Sequence, residues 1–264
     1  MSLDFLEPKT LAKFPDPLLI VCATQRCGST MVLEDMRNSG LLGKPEEYFI
    51  PWDPSLPDQD WVFRLESVFR ASKSSNGVAA IKVMADQAVN VDRCLSQVDD
   101  TLHKRNQILP SFHAFLQRGK FVYIQRRDRL RQAISRVIAR RTGINHAVSS
   151  AEDDHFAGNL MKGLDTGYAK QVPFDFDAIR QTMIAIEEEN LIWEGFFKSW
   201  GIKPLRLIYE DYKDDFPGYM QPLFDLAGVD MPTELPQRKM VKLGSNTNEQ
   251  FAAGYVAELV RRSS

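Results

Sequence analysis

LLIVCATQRCGST, residues 18 to 30, joins a continuous apolar run to a short polar loop and the start of a helical stretch. Leu18 to Ala23 is apolar without alternation, as a strand covered on both faces would be, and such strands belong to parallel sheets. The segment from Thr30 to Ser39 has helical spacing, and Gly40 and Gly43 stand where a helix stop belongs. Strand, tight loop and helix start together aim free backbone N–H groups at one point, where the helix dipole also favours an anion. Gly28 allows close backbone approach, Ser29 and Thr30 offer hydroxyl donors, and Arg26 offers a fork for phosphate-like oxygens. The same residues also make an ordinary strand-to-helix turn with a Ser or Thr cap. A Walker A loop needs G-x-x-x-x-G-K-[ST]; here there is one glycine and no following lysine, which disfavours a nucleoside triphosphate hydrolase.

Outward from this stretch, further strands are predicted at Val78 to Met84, Phe121 to Gln125 and Leu205 to Tyr209, flanked by breakers such as Asn76-Gly77, Arg118-Gly119 and Gly201. Helices lie between them. The clearest runs from Phe176 to Trp200, with Ile179, Met183, Ile186, Trp193, Phe197 and Trp200 on one face, Asn190 interrupting it, and Glu187 to Glu189 facing solvent. Strands alternating with helices imply an α/β fold with a central parallel sheet flanked by helices, read here as one domain over residues 1–264. Residues 50–60, with three prolines and three aspartates, and residues 147–172, rich in Gly, Asp and Ser, read as loops.

The chain has 264 residues, 33 basic and 35 acidic, for a formal net charge of -2, so a polycation built to coat nucleic acid is excluded. The longest apolar runs fall well short of the ~20 residues that span a bilayer. The first residues, MSLDFLEPKTLAKFP, lack the layout of a secretory signal. Three cysteines, Cys22, Cys27 and Cys94, form no CxxC pair, which argues against a disulfide framework and a structural zinc site. The expected compartment is the cytoplasm.

The loop QRCGST, together with MVLEDMRNSGLLGKPEEYF after it, resembles the bacterial trehalose 2-sulfotransferase family, with its [QR]-R-S-G-S-T loop, helix and G-x-P-x-E-F-F segment. The resemblance extends through four segments spread over most of the chain, of which the first is specific. It implies a P-loop-like sulfotransferase fold that moves a sulfuryl group from 3′-phosphoadenosine 5′-phosphosulfate (PAPS) to a hydroxyl of a carbohydrate or glycolipid, without a metal. It implies that Gln25, Arg26, Cys27, Gly28, Ser29 and Thr30 hold the 5′-phosphosulfate, Cys27 replacing the usual serine. The family's glutamate base falls on Glu47, in Pro45-Glu46-Glu47-Tyr48-Phe49. If the segment is extended, Glu46 should point away from Glu47. Many sulfotransferases carry a catalytic histidine at a strand end; the matching segment here is Ile81-Lys82-Val83-Met84, which keeps Lys82 for the sulfuryl group but has Met84 at the histidine position.

FVYIQRRDRLRQAISRVIARR, residues 121–141, carries seven arginines from Arg126 to Arg141. Taken alone this is a basic helix suited to nucleic-acid or lipid phosphates. The resemblance assigns the 3′-phosphate to a strand-end arginine and a helix serine, Arg126 or Arg127 with Ser135. It also points to Lys242, Ser245 and Asn246 in a C-terminal loop near the nucleotide, and to a homodimer. The rival readings are a kinase of related fold and a non-catalytic anion-binding or nucleic-acid-binding protein built on the arginine helix. Trp52, Trp61 and Phe63 are either sugar-stacking rings or core.

Overall fold

The computed structural model describes residues 14–98, 107–148, 160–162, 167–240 and 246–264. Four strands form one parallel sheet: β1 (Leu18–Ala23), β2 (Ala79–Met84), β3 (Lys120–Gln125) and β6 (Leu205–Ile208), in the order β2-β1-β3-β6. Leu18 pairs with Ala79 and Leu19 with Lys120, so β1 is held on both edges. Its continuous apolar run is explained by layers on both faces. Leu18, Ile20 and Cys22 pack on one side, Leu19, Val21 and Ala23 on the other, and all six residues are buried.

The helices in chain order are α1 (Ser29–Asn38), α2 (Trp61–Ala71), α3 (Ala85–Ser96), α4 (Pro110–Leu116), α5 (Arg129–Thr142), α6 (Phe176–Trp200), the single turn α7 (Tyr209–Tyr212), α8 (Gln221–Ala227) and α9 (Asn246–Ser263). One layer joins α2, α3 and α4 to the C-terminal half of α6, centred on Trp193, Phe196 and Phe197. The opposite layer joins α1 to α8 through Val32, Met36, Leu223 and Phe224. A third cluster, Ile134, Val137, Ile179, Phe251 and Tyr255, packs α5, α6 and α9 together.

Local chemistry sets the helix boundaries. The carboxylates of Asp60, Asp128 and Asp175 accept from the backbone N–H of Phe63, Arg131 and Ala178, which caps α2, α5 and α6. Gly201, in the left-handed region at φ 66°, closes α6. The predicted helix over 176–200 is observed with those ends, and its stripe faces the core. The polar interruption has a partner: buried Asn190 accepts from the Tyr123 hydroxyl of β3 at 2.7 Å. The acidic run differs from expectation in one place. Glu187 and Glu188 are exposed, whereas Glu189 turns inward to pair with Arg136 of α5 at 2.5 Å.

The stretch over 50–60 forms no helix or strand. The stretch over 147–172 is not uniformly loop: β4 (His146–Val148) pairs in parallel with β5 (Leu160–Lys162), and a 3-10 turn covers Gly167–Gln171. Trp52 and Trp61 are core, 3% and 2% exposed with ring centroids 5.1 Å apart, while Phe63 is exposed under the guanidinium of Arg70. No described helix is long and apolar enough to cross a membrane.

Candidate functional site

From β1 the chain moves to β2 on one side and later to β3 on the other, so the sheet has a switch point between β1 and β3. In open α/β sheets ligands settle beside such a point, at the carboxyl ends of the strands. The loop over 24–28 leaves β1 at that end. Cys27 is fully buried, and its carbonyl accepts from the Tyr212 hydroxyl at 3.3 Å. Gly28, at φ 91°, starts α1, and no side chain caps the helix. A Cβ at Gly28 would lie 2.5 Å from the Tyr209 ring and 2.6 Å from the Tyr212 hydroxyl. Two tyrosines of α7 therefore press the loop from beneath and admit only glycine there.

The β3–α5 junction closes against this loop. Arg26 Nε donates to Ser135 Oγ at 3.0 Å, and Arg126 Nη1 donates to the Arg26 carbonyl at 3.4 Å. Arg26 also donates to the Asn145 carbonyl. Buried Gln132 donates to Thr24 Oγ1 at 2.8 Å and to the Gln25 carbonyl at 2.9 Å. From the other layer, the Trp193 indole donates to the Ala23 carbonyl at 3.0 Å. Gln132 and Tyr212 were not singled out from sequence, while Trp193 was read only as part of the helix stripe and Tyr209 only as a strand end. Each lies in a stretch whose pattern reads as helix packing or strand end, and nothing local marks it.

Arg126 and Arg127 part company. Arg126 lies over the Tyr209 ring at 4.8 Å, its Nε is buried without a hydrogen-bond partner, and its ion pair with Glu210 is long at 3.8 Å. Arg127 points outward, more than half exposed, and pairs with Asp211. Other arginines of the cluster also pair with acids: Arg129 with Glu187, Arg131 with Asp128 and Glu249, Arg136 with Glu189, and Arg141 with Asp175. The surface expected of a nucleic-acid or lipid-binding helix is thus largely neutralised by the protein's own carboxylates.

On the opposite rim, residues 43–47 run along the outer edge of β2. A Cβ at Gly43 would lie 2.5 Å from the Ala80 backbone nitrogen, which is how closely this segment hugs the strand. Lys82 N–H donates to the Glu46 carbonyl at 3.0 Å. The two acids then diverge as predicted for an extended segment: Glu46 pairs with Arg37 of α1, while Glu47 meets Lys82 and Gln87. Lys82 Nζ sits 2.8 Å from Glu47 Oε1, and Gln87 Nε2 donates to Oε2 at 2.9 Å. Lys82 is 2% exposed, so its ammonium depends on this partner. Gln87 is a further residue that sequence reasoning missed.

His113, by contrast, stacks on Trp200 with centroids 3.7 Å apart, in the α4–α6 packing. Burial pushes the thiol of Cys22 well up. Lys242 and Ser245 lie outside the described residues, and Asn246 is the first residue of α9.

The model of the Stf0 sulphotransferase family matches residues 19–98 and 57–258. The chain belongs to that family. It is 22% identical over 272 residues to the trehalose 2-sulfotransferase of Mycobacterium tuberculosis, spanning 92% of this chain and 95% of that protein. Among solved structures, a sulfotransferase from Alicyclobacillus acidocaldarius aligns over 93% of each chain at 12% identity, with a TM-score of 0.44.

Proposed function

We propose that the protein transfers the sulfuryl group of PAPS to a carbohydrate hydroxyl, free or in a glycolipid, with Glu47 as the general base. The observation that carries this reading is the contact between the 25–30 loop and the β3–α5 junction, where Arg26 meets Ser135 and Arg126 meets the loop backbone. A sulfonucleotide carries anions at both the 5′ and the 3′ position of its ribose, and the closeness of loop and junction supports two neighbouring anion sites.

The residues fit such a donor. Gly28 keeps the backbone bare where α7 presses the loop, and α1 begins without a side-chain cap. Arg126 keeps a buried Nε without a hydrogen-bond partner. In this assignment Gln25, Arg26, Cys27, Gly28, Ser29 and Thr30 hold the 5′-phosphosulfate, and Arg126 with Ser135 holds the 3′-phosphate. PAPS supplies the sulfuryl group already activated by its link to phosphate.

The protein's own work is positioning and charge placement, which dominate transfers through loose transition states. Glu47 takes the proton of the acceptor hydroxyl on a carboxylate oxygen. Lys82 pairs with that carboxylate and carries positive charge to the same rim. Arg26 places a second cation at the loop. The M. tuberculosis relative's name, trehalose 2-sulfotransferase, supports a sugar hydroxyl as acceptor.

Calorimetry with 3′-phosphoadenosine 5′-phosphate (PAP) against ATP, followed by transfer from radiolabelled PAPS to a panel of sugars and glycolipids, tests the reading. Binding that requires the 3′-phosphate, with label in a carbohydrate product, is the expected result. Preference for ATP would replace it with the kinase reading, and absence of nucleotide binding would refute both.

A further inference from the structure

The carboxylate of Glu47 is held at both oxygens, by two different elements. Lys82 of β2 takes Oε1 and Gln87 of α3 takes Oε2. Gln87 is buried and is held at its other end as well: its Oε1 accepts the backbone N–H of Met84 at 3.1 Å. Met84 is the residue before α3, and Gln87 is the third residue of that helix, so the contact is one arm of a capping box.

A side-chain amide has one accepting end and one donating end. A backbone N–H can only donate, so it claims the oxygen of Gln87. The nitrogen must then face Glu47. The start of α3 thereby decides that the carboxylate receives a donor, and a donor favours the charged form of an acid.

We propose that Gln87 is a positioning residue for Glu47, with the α3 cap fixing the amide, and the amide fixing the location and ionisation of the base. The proposal rests on the reading of Glu47 as proton acceptor. Among the described residues, Lys82 of β2 faces the acid, and on the acid's own segment Glu46 is drawn aside by Arg37 of α1.

Two variants separate this role from a purely structural one. Gln87→Glu keeps the accepting oxygen that the capping box needs but replaces the donor with a second acid. Gln87→Leu removes both. For Gln87→Glu the expected result is an unchanged PAP affinity, with kcat lower by about tenfold or more, since hydrogen bonds to charged groups are strong. The acidic limb of kcat/KM should move to higher pH, because like charges disfavour ionisation of Glu47. A 13C carboxyl titration of Glu47, assigned by difference against Glu47→Gln, should move the same way.

Gln87→Leu is expected to show the same limb shift with a lower melting temperature. If Gln87→Glu keeps wild-type kcat and an unmoved limb while Glu47→Gln is inactive, Gln87 serves only as a helix cap and the proposal fails while the base assignment stands. If Glu47→Gln itself turns over normally, the base assignment falls and takes this proposal with it.

Discussion

The two rims of the candidate site handle positive charge in opposite ways. On the β2 rim a single buried lysine, Lys82, is committed to one acid, Glu47. On the β3 rim seven arginines lie between Arg126 and Arg141, and neighbouring carboxylates draw most of them away from the loop. Arg126 turns toward the loop backbone instead, and Arg26 of the loop reaches back to Ser135. The number of cations in a stretch therefore says little about the field at a site. What decides it is how close an acid of another element comes, because ion pairs gain strength as they leave water.

This contrast can be broken at four points. The largest effect is expected at Glu47→Gln, where loss of the proposed proton acceptor should lower kcat by roughly 10²- to 10⁴-fold. PAP affinity measured by calorimetry should stay within about twofold, because the 25–30 loop and the β3 rim are untouched. Near-normal turnover would remove the β2 rim from the chemistry.

Next comes Gly28→Ala. The left-handed backbone at φ 91° adds about 1–2 kcal/mol of strain for a residue with a Cβ, before any overlap with the Tyr209 ring. A fall in melting temperature of roughly 3–8 °C is expected. Loss of most PAP binding should accompany it, since the loop backbone must shift.

A smaller effect is expected for Arg126→Ala. If Arg126 holds the 3′-phosphate as proposed, losing one guanidinium–phosphate contact of about 2 kcal/mol weakens PAP binding roughly thirtyfold. Its neighbour sharpens the comparison: Arg127→Ala, at an exposed pair with Asp211, should change PAP affinity by less than about twofold. Equal losses at both positions would show that the direction of these side chains does not matter.

How far the sequence could be read depended on how local the determinants were. β1 over Leu18–Ala23 was legible because a run of six apolar residues is decided by its own pattern, and so was α6, whose stripe repeats across its length. The divergence of Glu46 and Glu47 followed from the alternation of an extended chain. Less legible were contacts made by one residue in an ordinary context. Gln87 is invisible because the residue that opens its cap is Met84, not the Ser, Thr, Asp or Asn that usually signals a helix start. Trp52 and Trp61 carry the chemistry to stack on a sugar, and only the packing of α2 shows them to be core. The pairing of the arginines was hidden because their acids sit 34 to 118 residues away in sequence for Arg141 and Arg131.

β2 lies at the end of the sheet, where a strand ordinarily offers a row of open amides to any passing chain. Its outward N–H groups at Ala80, Lys82 and Met84 are instead received by the Ser72 carbonyl, the Glu46 carbonyl and the Gln87 side chain. Two of these three acceptors adjoin or touch Glu47. The segment that presents Glu47 is thus also a selvedge that finishes the sheet. A change that lifts it from β2 would expose a template for strand addition, so damage at this rim should surface as self-association as well as lost turnover.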